Sequence, residues 1–228
     1  MSGHSADWLA VSVARACLQL ACLSMLLTAA CPAADLDVSV LDRSGRGVAE
    51  VVVVADFLGP RGAAFPPAPA VMDQRNRAFL PRVLVVAVGA KVEFPNNDTV
   101  SHQVYSFSDA KKFQLPLYKG ELHPPVIFDK AGLVVLGCNI HDDMAGYIYV
   151  TDAAHFGKTD ADGFVHLHGV APGEYRVTAW SPFITDPASG LTRDVHLQPQ
   201  NNAVQRIQLI RELRTQPEPR PRRGDWDY

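Results

Sequence analysis

Short apolar runs, several of which alternate with polar residues, occur along most of the 228-residue chain and are separated by turns rich in glycine, proline and asparagine. Residues 36–41 alternate, a turn follows at residues 43–47, and residues 51–55 are continuously apolar, which predicts the two strands of a β-hairpin. No segment beyond the N-terminal region shows a sustained helical period. The pattern therefore predicts an all-β protein, with further strands at residues 83–87, 91–94, 104–107, 133–138 and 147–151.

The N-terminal region has a different pattern. Residues 16–30 form an apolar stretch that follows a positive charge, is too short to span a bilayer, and leads into small residues. This is typical of a secretory signal peptide over residues 1–34, with cleavage near Ala33 or Ala34. It predicts a periplasmic protein with no transmembrane span in its mature chain. The alternative is lipoprotein processing at Cys31, because the residues before it partly resemble a lipobox.

The cysteine content is informative once this signal region is set aside. Of the four cysteines, only Cys138 lies in the predicted mature residues 35–228. Proteins in an oxidising compartment usually pair their cysteines or lose them, so a single retained thiol needs a reason. It is either a small buried apolar residue or a metal ligand.

A histidine and a methionine close to Cys138 favour the metal ligand. Cys138, His141 and Met144 follow an apolar strand at a C-x2-H-x2-M spacing, and thiolate, imidazole and thioether together suit copper rather than magnesium or calcium. A blue-copper centre takes one further imidazole, and His102 supplies it after a strand and a polar turn. The predicted ligand set is therefore His102, Cys138, His141 and a distant axial Met144, for one copper ion (Cu+/Cu2+) per chain. In the polar turn, residues 96–98 are predicted turn formers, one of which can also brace the ligand loop.

Residues 72–150, which carry these ligands, resemble the cupredoxins of the plastocyanin and amicyanin family. The short C-x2-H-x2-M loop is most similar to that of amicyanin. The chain also resembles bacterial proteins labelled methylamine utilization protein, although Gln103 stands where many relatives carry asparagine. The matching landmarks are Phe79-Leu-Pro, Val92-Glu-Phe-Pro-Asn, His102-Gln-Val and the Cys138 loop.

The resemblance implies a Greek-key cupredoxin β-sandwich over residues 65–155 and a role as a periplasmic one-electron carrier. It implies as partner a c-type cytochrome or a periplasmic dehydrogenase. By the same resemblance, the edge of His141 reaches the surface and passes the electron. The acidic residues Asp142 and Asp143, which follow it directly, are predicted to steer a basic partner onto this imidazole, unless they only solubilise the loop.

Residues 157–180 resemble the second half of a carboxypeptidase-regulatory, transthyretin-like β-sandwich, and residues 40–48 match the first half of that pattern. We therefore predict a second small sandwich formed by residues 35–64, as its first hairpin, and residues 156–210, with the copper domain inserted between them. The alternative is two sequential modules. Residues 211–228 are rich in proline and charge and are predicted to be a disordered tail.

Composition excludes some functions and leaves others open. A net charge of −3, with no basic cluster before the tail, argues against nucleic-acid binding. The sequence shows no open metal position and no acid–base pair, so an enzyme is not predicted. Copper delivery without electron transfer is disfavoured, because Met72 and Met144 are the only methionines in the predicted mature chain. An interaction module with a structural copper stays open as a third function.

Overall fold

The computed structural model describes residues 33–60, 66–120, 123–199 and 201–214 of the chain. Within these residues the structure consists of β-strands and one short 3-10 turn, which confirms the predicted all-β class. No helix in the described part of the chain has the length and apolar character needed to cross a membrane. The strands are β1 Ala34–Leu41, β2 Val52–Phe57, β3 Ala70–Val71, β4 Asp73–Arg75, β5 Ala78–Leu80, β6 Val83–Ala87, β7 Ala90–Glu93, β8 Tyr105–Ser108, β9 Lys111–Gln114, β10 Val126–Phe128, β11 Gly132–Cys138, β12 His141–Thr151, β13 His155–Lys158, β14 Phe164–Val170, β15 Gly173–Trp180, β16 Thr192–Leu197 and β17 Ala203–Gln208.

Two sheets share the core that contains the predicted ligands. A five-stranded sheet has the order β6-β12-β11-β8-β9, and a three-stranded sheet has the order β10-β7-β3. Strands β11 and β12 form an antiparallel hairpin, whereas β6 runs parallel to β12 on its other side. The buried side chains between the sheets include Phe79, Phe128, Leu136, Cys138 and Met144. Cys138 therefore lies at the end of a strand that is well packed within a sheet.

A second core lies between two other sheets, which have the orders β14-β1-β17 and β13-β2-β15-β16. The predicted hairpin of residues 36–55 is wrong, because β1 and β2 lie in these different sheets. Strand β1 pairs with β14 and β17, and β2 pairs with β13 and β15. The turn between β1 and β2 carries the chain from one sheet to the other. Local alternation identifies a strand but does not identify its partner, which explains the error.

The continuous apolar run at the start of β2 has a physical explanation. Val51, Val53 and Ala55 belong to the core shared with β1, while Val52 and Val54 point to the opposite face. There they pack with Val83, Ala153 and aromatic side chains of the neighbouring five-stranded sheet and of β15. A strand that is buried on both faces is apolar throughout rather than alternating.

Aromatic residues close the same contact between the sheets. The ring of Trp180 on β15 lies 6.2 Å from the ring centroid of Tyr147 and 5.4 Å from that of Tyr149, both on β12. Lys158 on β13 donates a hydrogen bond of 2.8 Å to the carbonyl of Val83 on β6. The two cores are thus joined by an apolar layer that the sequence pattern did not reveal.

The predicted insertion of a copper domain into a second sandwich stays our proposal. It is supported by strand pairing, because residues before the predicted copper domain pair with residues after it: β1 with β14, and β2 with β15. Of the predicted signal peptide, only residues 33 and 34 are described, and Ala34 is the first residue of β1.

The predicted disordered tail begins too early at residue 211. The backbone N–H of Arg211 donates to the Asp186 carboxylate at 3.2 Å, and the N–H of Arg214 donates to the Phe183 carbonyl at 2.8 Å. Residues 211–214 are therefore held against the segment around residue 185. The rest of the predicted tail, residues 215–228, lies outside the described residues.

Candidate metal centre

The hairpin of β11 and β12 carries three of the four predicted ligands, Cys138, His141 and Met144. Gly137 pairs with Ala145, but the next residue, Cys138, pairs with His141, so residues 142–144 form an irregularity in β12. Extra residues in one strand of a pair bend the strand and redirect side chains. Here Asp142 and Asp143 become exposed, while Met144 returns to the core and is only 2 % exposed. The C-x2-H-x2-M spacing is thus a two-residue turn followed by a bulge.

His102 comes from the long connection between β7 and β8. Its backbone forms an isolated bridge with Tyr118, in which each N–H donates to the other's carbonyl at 3.0 Å. The imidazole is fully buried. A polar loop residue is therefore fixed to a second segment of the chain, which places its ring beside the β11–β12 turn.

Three of the four predicted ligands come together. The Nδ1 atoms of His102 and His141 are 3.1 Å apart, and the Cys138 Sγ atom lies 3.8 Å from the first and 3.6 Å from the second. In the described part of the chain, His102, Cys138 and His141 form a cluster that could hold a metal ion. Each offers one ligand atom, and these three atoms all lie within 4.8 Å of one another. The His102 and His141 rings are tilted at 60°, with centroids 4.9 Å apart.

The donor set fits a metal ion bound in the centre of the triangle. Metal–nitrogen bonds of about 2.0 Å and metal–sulfur bonds of about 2.3 Å in one plane would separate the donors by roughly 3.5–3.8 Å. The two sulfur–nitrogen separations, 3.8 and 3.6 Å, lie in that range, whereas the two Nδ1 atoms, at 3.1 Å, are closer together than a bound ion would hold them. Two imidazoles and a thiolate in a trigonal arrangement are typical of blue-copper sites. Met144 lies in the same core as Cys138, and both residues line one surface depression.

The surroundings of Cys138 favour the thiolate that a metal requires. Burial alone would raise the pKa of its thiol, but hydrogen bonds from His102 and from the backbone N–H groups of Gln103 and Ile140 hold that pKa below its ordinary value. Gln103 thus contributes to the site through its backbone N–H. For His102, burial would lower the pKa, but the contacts with Cys138 and Asp98 outweigh it and raise the pKa. Cys138 forms no disulfide within the described residues.

The polar turn before His102 acts as predicted. The Asn96 side chain accepts the N–H of Asp98 at 3.0 Å and donates to the carbonyls of Val100 and Tyr118 at 3.1 and 2.7 Å. The Asn97 amide donates to Asp73. The Asp98 carboxylate contacts the imidazole of His102 itself.

Sequence reasoning missed a second brace, which involves Gln74. This fully buried side chain donates to the carbonyls of Phe94 and Pro95 and to the hydroxyl of Tyr118. Burial raises the pKa of Tyr118 to about 12, so the hydroxyl keeps its proton, which it donates to the Phe94 carbonyl. The polar stretch around Gln74 is typical of an exposed loop, so no local signal indicated this network.

Comparisons with protein-family models and with curated protein sequences give no match to the chain. Among solved structures, the neighbours are cupredoxins. A copper-containing nitrite reductase from Thermus scotoductus is 28 % identical over 42 % of this chain, with a TM-score of 0.35, and the match spans only 25 % of that enzyme. A purple cupredoxin from Nitrosopumilus maritimus is 23 % identical over 36 % of this chain and 96 % of its own, with a TM-score of 0.31. A reduced amicyanin variant is 23 % identical over 43 % of this chain and 99 % of its own, with a TM-score of 0.33. Because all three TM-scores are below 0.5, the assignment of the site rests on the geometry of this chain.

Proposed function

We propose that the protein is a periplasmic blue (type 1) copper protein that carries single electrons. The observation that carries the proposal is the convergence of two imidazole Nδ1 atoms and one thiol Sγ on a single point, at separations of 3.1–3.8 Å. Copper held there by His102, Cys138 and His141, with Met144 as a weak axial ligand, would supply a one-electron couple.

The contacts that hold the donor side chains in place favour electron transfer. Cys138 sits in a sheet and accepts two backbone N–H groups, and His102 is held both by its backbone bridge and by Asp98. Donors fixed by the protein change position little between the two oxidation states, which keeps the reorganisation cost small. A carrier benefits from this rigidity.

Burial argues against the copper-delivery alternative. His102 is fully buried and Cys138 is 3 % exposed, whereas a delivery site must open to hand over its ion. Of the three clustered donors, only His141 is half-exposed. This suits passage of an electron through an imidazole edge and does not suit release of the ion. An interaction module with structural copper remains the second candidate, which redox measurements would distinguish.

The test uses the protein without its signal region, loaded with copper. We expect uptake of one equivalent, an intense blue colour on oxidation, and fast, reversible voltammetry. A colourless Cu(II)-loaded protein would disprove the proposal. A blue protein whose copper cannot be oxidised and reduced reversibly would instead support the structural role.

Met144 provides a further prediction. Met144→Leu should keep the blue colour and raise the reduction potential, because a weak axial thioether tunes the couple and does not hold the ion. We expect a change of roughly tenfold in the ratio of oxidised to reduced protein at a fixed potential, which is about 59 mV for one electron. Met72→Leu, at the other core methionine, is the matched control and should leave the potential unchanged. Loss of the blue colour in Met144→Leu would contradict the weak-ligand role.

The surface around His141 is proposed to receive the redox partner, a c-type cytochrome or a periplasmic dehydrogenase. Asp142 and Asp143 are exposed beside the half-exposed imidazole. An adjoining depression is lined by Tyr105, by Phe107, which is 75 % exposed, and by Asp142. Acidic groups around an apolar patch favour a partner with a basic rim.

Electron transfer to a basic cytochrome should therefore slow as salt is added. Screening shortens the Debye length from about 30 Å at 0.01 M to about 10 Å at 0.1 M, and steered rates fall accordingly, here by about tenfold. Asp143→Asn should flatten this dependence and leave the visible spectrum intact. Stopped-flow rates at a series of salt concentrations test this. Rates that respond neither to salt nor to the substitution would place the partner elsewhere.

A further inference from the structure

A buried carboxylate contacts the imidazole of His102 on the side opposite the proposed metal. The Oδ2 atom of Asp98 lies 2.8 Å from Nε2 of His102, and the two side chains are 6 % and 0 % exposed. The same Oδ2 accepts the backbone N–H of Arg77 at 2.7 Å, and Oδ1 accepts the N–H of Thr99 at 2.6 Å. The Thr99 hydroxyl lies 3.4 Å from Oδ1.

Two separate parts of the chain hold this carboxylate. The turn between β4 and β5 places Asn76 and Arg77 at φ values of +51° and +56°, and the N–H of Arg77 donates to Asp98 from this turn. From the other side, the Asn96 side chain accepts the N–H of Asp98 itself. Left-handed backbone is unfavourable for residues other than glycine and persists where the surrounding structure imposes it. The carboxylate is therefore fixed before any metal binds.

The contact determines which nitrogen of His102 carries a proton. A carboxylate only accepts hydrogen bonds, so Nε2 must donate. In the neutral imidazole that binds a metal, the lone pair of Nδ1 then faces Cys138 and His141. An anionic acceptor on the far nitrogen also makes a metal-bound imidazole a stronger donor. A stronger donor stabilises the higher charge of oxidised copper more than that of reduced copper.

We propose that Asp98 is a positioning residue that holds His102 in its metal-binding tautomer, strengthens copper binding and lowers the reduction potential of the site. This inference rests on the proposed function, since it concerns the same copper. It goes beyond that function because it assigns part of the redox tuning to a carboxylate that does not touch the metal. The polar turn thus has an electrostatic role in addition to its structural role.

Asp98→Asn tests the charge with almost no change in shape. The variant should remain blue, and its affinity for Cu(II) should fall by about 10- to 100-fold, with a smaller loss for Cu(I). Each tenfold loss of preference for the oxidised ion raises the potential by about 59 mV for a one-electron couple. Metal competition titrations and voltammetry measure both effects.

Asp143→Asn is the matched control. It removes the same charge from an exposed position close to His141, where water screens it, so its potential should stay near that of the unmodified protein. Equal increases in both variants would indicate a general charge effect and overturn the proposal. An unchanged potential in a blue Asp98→Asn protein would overturn it as well, while the proposed function would stand.

A measurement on the unmodified protein covers the case in which Asp98→Asn fails to fold. In the diamagnetic Cu(I) form, nitrogen and proton NMR should show a His102 Nε2 proton that is shifted downfield and protected from exchange with water. A proton that exchanges as fast as that of an exposed imidazole would overturn the proposal. A copper-loaded protein that never turns blue would instead refute the proposed function itself.

Discussion

Replacement of Cys138 by alanine is expected to abolish the blue colour of the copper-loaded protein completely. The colour arises from charge transfer between the cysteine thiolate and oxidised copper, and no other donor in the triangle can supply it. Cys138 is the only cysteine after residue 34, so a second thiolate cannot substitute for it within the predicted mature chain. The visible spectrum, recorded together with metal content, measures the effect.

Loss of the thiol should change the metal site far more than the fold. The side chain is small, and its removal takes away one sulfur atom in a core that large residues such as Phe79 and Phe128 dominate. Thermal unfolding of the metal-free variant should therefore stay close to that of the metal-free parent. A Cys138→Ala protein that still turns blue would contradict the assigned ligand. If metal-free Cys138→Ala is unfolded, the visible spectrum of copper-loaded Cys138→Ser tests the same assignment, and it should also lack the blue colour.

Gly47→Ala is expected to destabilise the second core strongly. A methyl group at this position would lie 2.0 Å from the carbonyl oxygen of Asp162 and 2.7 Å from the backbone nitrogen of Gly163. Gly163 has a φ of +79°, and a methyl group added there would lie 2.6 Å from the Cα atom of Gly47. Backbone atoms cannot move aside as a flexible side chain can, so we expect a loss of about 3 kcal/mol or more. That is a large part of the roughly 5–15 kcal/mol that stabilises a typical domain.

Gly45→Ala in the same turn is the matched control. Gly45 has a φ of +85°, but a methyl group there would meet nothing within 4 Å. Its cost should therefore be only that of left-handed backbone, about 1–2 kcal/mol. Urea denaturation of both variants gives the comparison, and the blue spectrum reports on the copper site in the same samples. Equal losses in the two variants would show that the contact between residue 47 and the turn at residues 160–163 contributes nothing.

The same pair of variants bears on the proposed insertion. The turn at Gly47 precedes the predicted copper domain in sequence, and the turn at Gly163 follows it, yet the two glycines are in contact. If the second sandwich is a unit of its own, Gly47→Ala should lower the stability of that unit while the blue spectrum persists at low denaturant. Simultaneous loss of the spectrum and the second core would show that the apolar layer around Val52 and Trp180 couples them.

The strand pattern and the identity of the candidate donors followed from the sequence alone. Alternation and turn residues are local properties, so the all-β class could be read from them. The spacing of Cys138, His141 and Met144 is also local, because these residues are connected by a two-residue turn and a bulge of a single hairpin. His102 could be proposed from the chemistry of the donors, since copper in such a site takes a second imidazole.

Only the tertiary structure decided which strands pair and which polar groups support the site. Strands β1 and β2 are neighbours in sequence but belong to different sheets, and the valine run of β2 is apolar because two cores bury it. The contact of Asp98 with His102 depends on a hydrogen bond from Arg77, in a hairpin far from it in sequence. Gln74 is buried against Tyr118 in the same way. Such partners are separated by tens of residues, and the free energy of their contacts arises only when the whole sheet packs, so no local pattern records them.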